Sequence, residues 1–315
     1  MRKALIVGIN DYPAAPLRGC LKDANAISNV LETHGDGSPN FSVKLLTSPS
    51  DTIKRTDLRK AIEELFLGDS NIALFYFSGH GFIKSTGGYI VTTDFEKYDE
   101  GISMDDILKL ANDSKVKEKI LILDCCYSGA FGSPSLTSGA FAHLSEGLTV
   151  LTASRENESA LEINGSGIFT LLVVDALKGG AADLRGSISP GSIYSYVDQA
   201  LGPWDQRPIF KTNVSRFTSL RNITPPVPLA ILRKICEYFQ NPQDEYQLDP
   251  SYEFTSPNKN DEHVTIFKDL QKFERVGLVI PVGEEHMYYA SMNSKSCRLT
   301  ALGFHYWRLV NEKKI

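Results

Sequence analysis

Residues 71–81 read Asn-Ile-Ala-Leu-Phe-Tyr-Phe-Ser-Gly-His-Gly, and residues 119–129 read Lys-Ile-Leu-Ile-Leu-Asp-Cys-Cys-Tyr-Ser-Gly. Each begins as a short unbroken apolar run and ends abruptly in small and polar residues. Such a run, bounded by turn residues, is the pattern of a strand buried on both faces. Residues 3–9 (Lys-Ala-Leu-Ile-Val-Gly-Ile) share it, and 41–46 and 147–153 read as further strands. Between them lie amphipathic segments. Leu21, Ala24, Ile27, Val30 and Leu31 fall on one helical face, and Leu58, Ile62, Leu65 and Phe66 on another. The alternation predicts a mostly parallel α/β sheet covered by helices on both faces. A short helix is expected at 103–112, with Ser103 as its N-cap, and further helices at 168–178 and 190–201.

The chain has 315 residues, about two domains by length. Its 33 basic and 38 acidic residues leave a net charge of −5, so no global basicity marks it as a nucleic-acid coat or a polybasic membrane binder. No apolar stretch approaches the roughly 18 residues of a membrane span, and none is expected. Cys20, Cys125, Cys126, Cys236 and Cys297 are odd in number and fit neither a disulfide framework nor zinc-ligand spacing, which points to the reducing cytoplasm.

Ile223-Thr-Pro-Pro-Val-Pro228 interrupts helix and strand alike. It is expected to join a domain at 1–222 to one at 229–315. The second part predicts a helix over 229–240, a loop to 261, and a helix over 262–275. A two-stranded hairpin follows, from 277–280 and 287–290, with a last helix from Thr300. That order resembles a winged-helix domain. Residues 226–315 carry 11 Lys+Arg against 12 Asp+Glu, so protein docking, of an activator or a target, is favoured over DNA.

In an open parallel sheet, ligands bind beyond the carboxyl ends of the strands. His80 and Cys126 each sit there, one strand–helix–strand crossover apart. An imidazole beside a thiol can take its proton, and a free thiol is only a few per cent thiolate at neutral pH. The N–H groups of Gly81 and Cys126 could face a developing oxyanion. His34, His143, His263, His286 and His305 have no such setting and read as structural. Trp204 reads equally as cleft or packed loop.

Ser78-Gly-His-Gly81 and Asp124-Cys-Cys-Tyr-Ser-Gly129 resemble the motifs of the caspase-like cysteine peptidases, in their metacaspase and bacterial branch. The resemblance runs over about 1–220. It includes Val7-Gly-Ile-Asn10, Leu21-Lys-Asp-Ala24, Leu151-Thr-Ala-Ser154 and Gly167-Ile-Phe-Thr170. It implies a caspase–haemoglobinase fold, with His80 as general base and acid, Cys126 as nucleophile and Cys125 as bystander. It implies a substrate pocket at Cys20, Asp23, Ser78 and Asp124 that holds Arg or Lys at P1, since two carboxylates suit a guanidinium. The alternative for Asp23, a charge serving the helix dipole, is the less favoured reading. Asp94, Asp105 and Asp106 stand where that branch binds calcium. However, 130–136 lacks the further aspartate, and hard cations need many oxygens, so no cofactor is expected. No Arg or Lys lies between Lys119 and Arg155, which leaves Arg185 as a self-cleavage candidate.

The expected function is therefore a regulated bacterial endopeptidase in defence or cell death. The alternatives are a caspase-like scaffold joined to a DNA- or protein-binding module, and a ligase or redox sensor using Cys125 and Cys126.

Overall fold

A computed structural model describes residues 1–13, 15–49, 52–84, 87–96, 101–125, 144–153, 162–163, 166–202 and 207–315. Cys126, the segment 130–136 and Trp204 lie outside them. The described chain divides into two units. One is Met1–Ala182 with Ser187–Ile223, and the other is Asp183–Gly186 with Thr224–Ile315.

In the first unit the apolar runs form strands in chain order. These are β1 (Arg2–Gly8), β2 (Ser42–Thr47), β3 (Ile72–Ser78), three short strands β4 (Gly81–Lys84), β5 (Gly87–Ile90) and β6 (Ile102–Ser103), then β7 (Glu118–Asp124) and β8 (Leu148–Thr152). They are followed by β9 (Glu162–Ile163), β10 (Ser166–Gly167), β11 (Ser187–Ile188), β12 (Ile209–Asn213) and β13 (Arg221–Asn222). The helices are α1 (Cys20–Glu32), α2 (Arg55–Phe66), α3 (Met104–Asn112), α4 (Ile168–Asp175) and α5 (Pro190–Leu201).

The main sheet runs β12-β8-β7-β3-β1-β2. Its pairs are parallel except the one between β8 and β12. Period two decides its faces. Leu5, Val7, Phe75, Phe77, Leu121 and Leu123 pack with α2 and α3. Ala4, Ile6, Leu74, Tyr76, Ile120 and Ile122 pack with α1, α4 and α5. Helices thus cover both faces of a mostly parallel sheet, as the alternation of segments predicts. Ser103 caps α3 as its sequence predicts, its hydroxyl accepting from the N–H groups of Asp105 and Asp106. After His80 the chain forms a small antiparallel sheet, β4-β5-β6, beyond the strands that the apolar runs predict.

The second unit holds α6 (Leu229–Leu232), α7 (Ile235–Tyr238), β14 (Glu245–Gln247), α8 (Asp261–Arg275), β15 (Val279–Val282), α9 (Met287–Met292), β16 (Ser296–Leu299) and α10 (Ala301–Asn311). Its strands are antiparallel in the order β14-β16-β15. Phe239, Phe267, Leu270, Phe273, Leu278 and Val279 fill its core.

Two expectations fail here. The single helix at 229–240 is two short helices, and beside their break Lys234 pairs with the buried Asp269. Residues 287–290 are helix, not strand. Met287 and Ala290, three apart, are both buried while Tyr288 and Tyr289 are exposed, which is helical spacing. The partner of β15 is Ser296–Leu299, a mixed sequence with little strand signal.

Candidate active site

Three strand ends lie level. Gly8 of β1 is in register with Ser78 of β3, and Ser78 with Asp124 of β7. Backbone bonds extend the alignment past the strands. Ile9 N–H donates to the Ser78 carbonyl at 2.9 Å, and Gly79 N–H to that of Asp124 at 3.4 Å. The two motifs are thus carried on adjacent strands, as their spacing predicts.

His80 follows in the short passage between β3 and β4 and is half-buried. Its Nε2 lies 2.7 Å from the Ala15 carbonyl oxygen. A carbonyl only accepts, so Nε2 carries the hydrogen, and Nδ1 is the basic nitrogen of the neutral ring. The ring rests on Tyr12, with centroids 4.6 Å apart. Gly79 is required beside it, because a Cβ there would come within 2.5 Å of the Tyr12 hydroxyl.

Asp23 and Asp124 are both buried. They meet the same element, the start of α4. Asp23 Oδ2 accepts from Gly167 N–H at 3.0 Å. Asp124 Oδ2 accepts from Thr170 Oγ1 at 2.6 Å, and Tyr76 Oη lies 2.6 Å from that Oγ1. A side chain at Gly167 would strike Asp124, since its Cβ would stand 2.4 Å from Oδ2. Burial, then the charges of Asp124 and Asp23, push the Tyr76 phenol well above its ordinary value. Two carboxylates at a helix N-terminus also complement its dipole, so these residues hold α4 in place as well as concentrating negative charge. Ser78 is buried at the end of β3, Cys20 is buried at the start of α1 with its backbone against Gly8, and Cys125 is buried in the core beneath α2 and α3.

Of the three aspartates that the resemblance sets near calcium, Asp94 and Asp106 are engaged with residues of α2 and its approach. Asp94 accepts from Arg55 N–H at 3.0 Å and from the Thr92 hydroxyl at 2.7 Å. Asp106 pairs with Arg59 at 3.2 Å. Burial, then the Asp106 charge, raise the Asp105 carboxyl. Among the described residues no three His, Cys, Asp or Glu side chains group as a metal site would require. Nor is any described helix long and apolar enough to cross a membrane. Arg185 lies in a closed turn, its N–H bonded to Asp183 Oδ1 at 2.8 Å and Gly186 N–H to the Asp183 carbonyl at 2.9 Å.

Sequence reasoning missed Tyr12, Ala15 and Thr170. Tyr12 and Ala15 stand in the loop leaving β1, a strand-end position that could have flagged them. Thr170 closes the segment Gly167-Ile-Phe-Thr170, and only the fold brings it to Asp124.

Two comparisons with known proteins bear on the fold that carries these residues. The caspase-domain family profile matches residues 1–220. A crystal structure of a Geobacter sulfurreducens protein shares 17% identity at a TM-score of 0.53, over 71% of this chain and 100% of its own. Caspase-1 from Spodoptera frugiperda shares 14% identity at 0.52, over 70% of this chain and 90% of its own. Those likenesses bear on the fold alone. No curated protein matches. With more than half its length matched, the chain belongs to the caspase-domain family of cysteine-type peptidases.

Proposed function

We propose that the protein is a cysteine endopeptidase that cuts protein substrates after Arg or Lys. The observation that carries this is the level alignment of the β1, β3 and β7 ends. It supports a shared site for His80, for Asp23 and Asp124, and for Cys126, which follows Asp124 by two residues as His80 follows Ser78. Cys126 attacks the scissile carbonyl carbon, and His80 Nδ1 takes the thiol proton. The N–H groups of Gly81 and Cys126 steady the oxyanion. His80 then protonates the leaving amine. Water, deprotonated by the same imidazole, releases the acyl group. Asp23 and Asp124 hold the P1 cation, with Cys20 and Ser78 lining the pocket. Catalysis needs no metal on this reading.

The family resemblance carries the role in bacterial defence or regulated cell death. The strand order β14-β16-β15, with α8 before the last two strands, supports the winged-helix reading of the second unit. Its balanced charge supports a protein partner, an activator or a target, over DNA. The absence of Arg and Lys between Lys119 and Arg155 supports activity as a single chain.

The test is hydrolysis of fluorogenic peptides with Arg, Lys, Asp or Leu at P1, by wild type and Cys126→Ala, with calcium and with chelator. Turnover of Arg and Lys peptides alone, lost in the variant and indifferent to chelator, is expected. Turnover of Asp peptides would overturn the pocket, and turnover surviving Cys126→Ala would overturn the nucleophile.

A further inference from the structure

The hairpin after His80 lacks one rung. Gly81 pairs with Ile90 and Phe82 with Tyr89, so His80 and Val91 form the next antiparallel pair. Such a pair exchanges two backbone hydrogen bonds at alternate positions. One is made, from Val91 N–H to the His80 carbonyl at 2.9 Å. In place of the other stands the hydroxyl of Tyr12. It accepts from His80 N–H at 3.0 Å and donates to the Val91 carbonyl at 3.2 Å. A carbonyl cannot donate, so both roles are fixed.

We infer that Tyr12 is a positioning residue for His80: its hydroxyl wedges open the last rung of the hairpin while its ring carries the imidazole. The inference rests on the proposed role of His80 as base.

Each part of the tyrosine has a separate task. The ring lies against one side of the imidazole, and the Ala15 carbonyl holds Nε2. Together they leave Nδ1 as the nitrogen that takes a proton. The hydroxyl sets the backbone from which the ring projects. Without it, His80 N–H and the Val91 carbonyl would face each other across a gap and close to a direct bond. That closure would carry the His80 Cα with it. Tyr12 is itself held rigidly. It is 5% exposed, and Tyr12 N–H and Leu17 N–H both bond the Asn10 carbonyl, at 3.1 and 2.9 Å. One loop therefore supplies both the phenol and the Ala15 carbonyl. Burial above all keeps the phenol protonated, so the bridge does not dissociate near neutral pH. A misplacement of about 1 Å in a reacting group can cost about a hundredfold in rate.

The test is Tyr12→Phe in the full chain, which keeps the ring and removes the wedge, alongside His80→Ala. Two readouts are taken: kcat and KM on the Arg peptide, and the His80 ring nitrogens by NMR. For wild type, a single Nε2–H tautomer is expected. In Tyr12→Phe, kcat should fall about 10- to 100-fold with KM within twofold, and the His80 ring signals should move or show both tautomers. A purely structural hydroxyl would lower thermal stability but leave the tautomer and kcat unchanged, and that result overturns the inference. His80→Ala separates the two levels. If it abolishes hydrolysis while Tyr12→Phe keeps full kcat and an unchanged ring, only the role of Tyr12 falls. If it remains active, the base assignment falls and the inference with it. Should wild type turn over no peptide, the ring signals decide alone.

Discussion

Thr170→Val is the most discriminating perturbation of the carboxylate pocket. Thr170 has one hydroxyl proton and gives it to Asp124 Oδ2, so Tyr76 Oη must donate to Thr170. The order Tyr76 to Thr170 to Asp124 follows from proton count alone. Valine keeps the shape and deletes the middle link. Asp124 loses a charge-assisted hydrogen bond, worth about 1.5–3 kcal/mol, and a fully buried phenol loses its acceptor, at about 1–3 kcal/mol. The sum is about 2.5–6 kcal/mol. At about 2–4 °C per kcal/mol for a domain of this size, melting of the first unit should fall by roughly 5–24 °C. Tyr76→Phe removes only the outer donor and leaves the Thr170–Asp124 bond, so about 1 kcal/mol is expected. The double variant should melt no lower than Thr170→Val alone, because it removes the orphaned phenol, and the two effects will not add. Thr170→Ser should restore most of the loss. Thermal melts of the full chain by circular dichroism read all four. A loss in Tyr76→Phe equal to that in Thr170→Val, or strict additivity, would refute the relay. On the proposed reading, Thr170→Val also raises KM for the Arg peptide, since Asp124 loses the Thr170 hydroxyl as one of its anchors.

Two further outcomes concern the second unit. Burial, then the charge of Glu245, push the Cys297 thiol up to about 12, so iodoacetamide at pH 8 should leave it unmodified in the native chain and label it after unfolding, by peptide mass spectrometry. Burial favours the neutral form of Asp269, but hydrogen bonds from Lys272, Tyr238 and Lys234 outweigh it and hold the carboxyl below its ordinary range. A folded value below the unfolded one, about 3.9, stabilises above that pH and is lost as pH falls through the folded value. Melting of this unit should therefore drop on acidification below about pH 4, and Asp269→Asn should cost about 2 kcal/mol at pH 7 and flatten that acid dependence.

The strands that carry the site were legible because they are buried on both faces. Ile72–Ser78 and Glu118–Asp124 read as continuous apolar runs, and the abrupt change to Gly-His-Gly and Cys-Cys marked their ends. Ser103 and α5 were legible for a local reason, since capping and helical spacing involve only near neighbours. What escaped was non-local or weakly patterned. The bonds of Tyr12 to His80 and Val91 span 68 and 79 positions, and that of Thr170 to Asp124 spans 46. No periodicity encodes them. Met287–Met292 misled because four apolar residues satisfy either period, and only the burial of Met287 and Ala290 separates them.

Parity along β7 explains how one sheet edge serves two purposes. Successive side chains of a strand point to opposite faces. Ile120 and Ile122 face α1, α4 and α5, so Asp124, two further on, reaches Tyr76 and the start of α4 on that side. Leu121 and Leu123 face α2 and α3, and Cys125 joins their core, together with Tyr12. The carboxylates proposed to hold the P1 cation are thus braced from one face of the sheet. The tyrosine proposed to orient the base is braced from the other. A slip of one residue between β3 and β7 would break the Ser78–Asp124 match and turn Asp124 into the apolar core, where an ionised carboxylate is costly. The full burial of Phe77 and Leu123, immediately before the two motifs, opposes that slip. The continuous apolar runs therefore fix the register, and the register brings the ends of β1, β3 and β7 level, with His80 and Asp124 at the ends of adjacent strands.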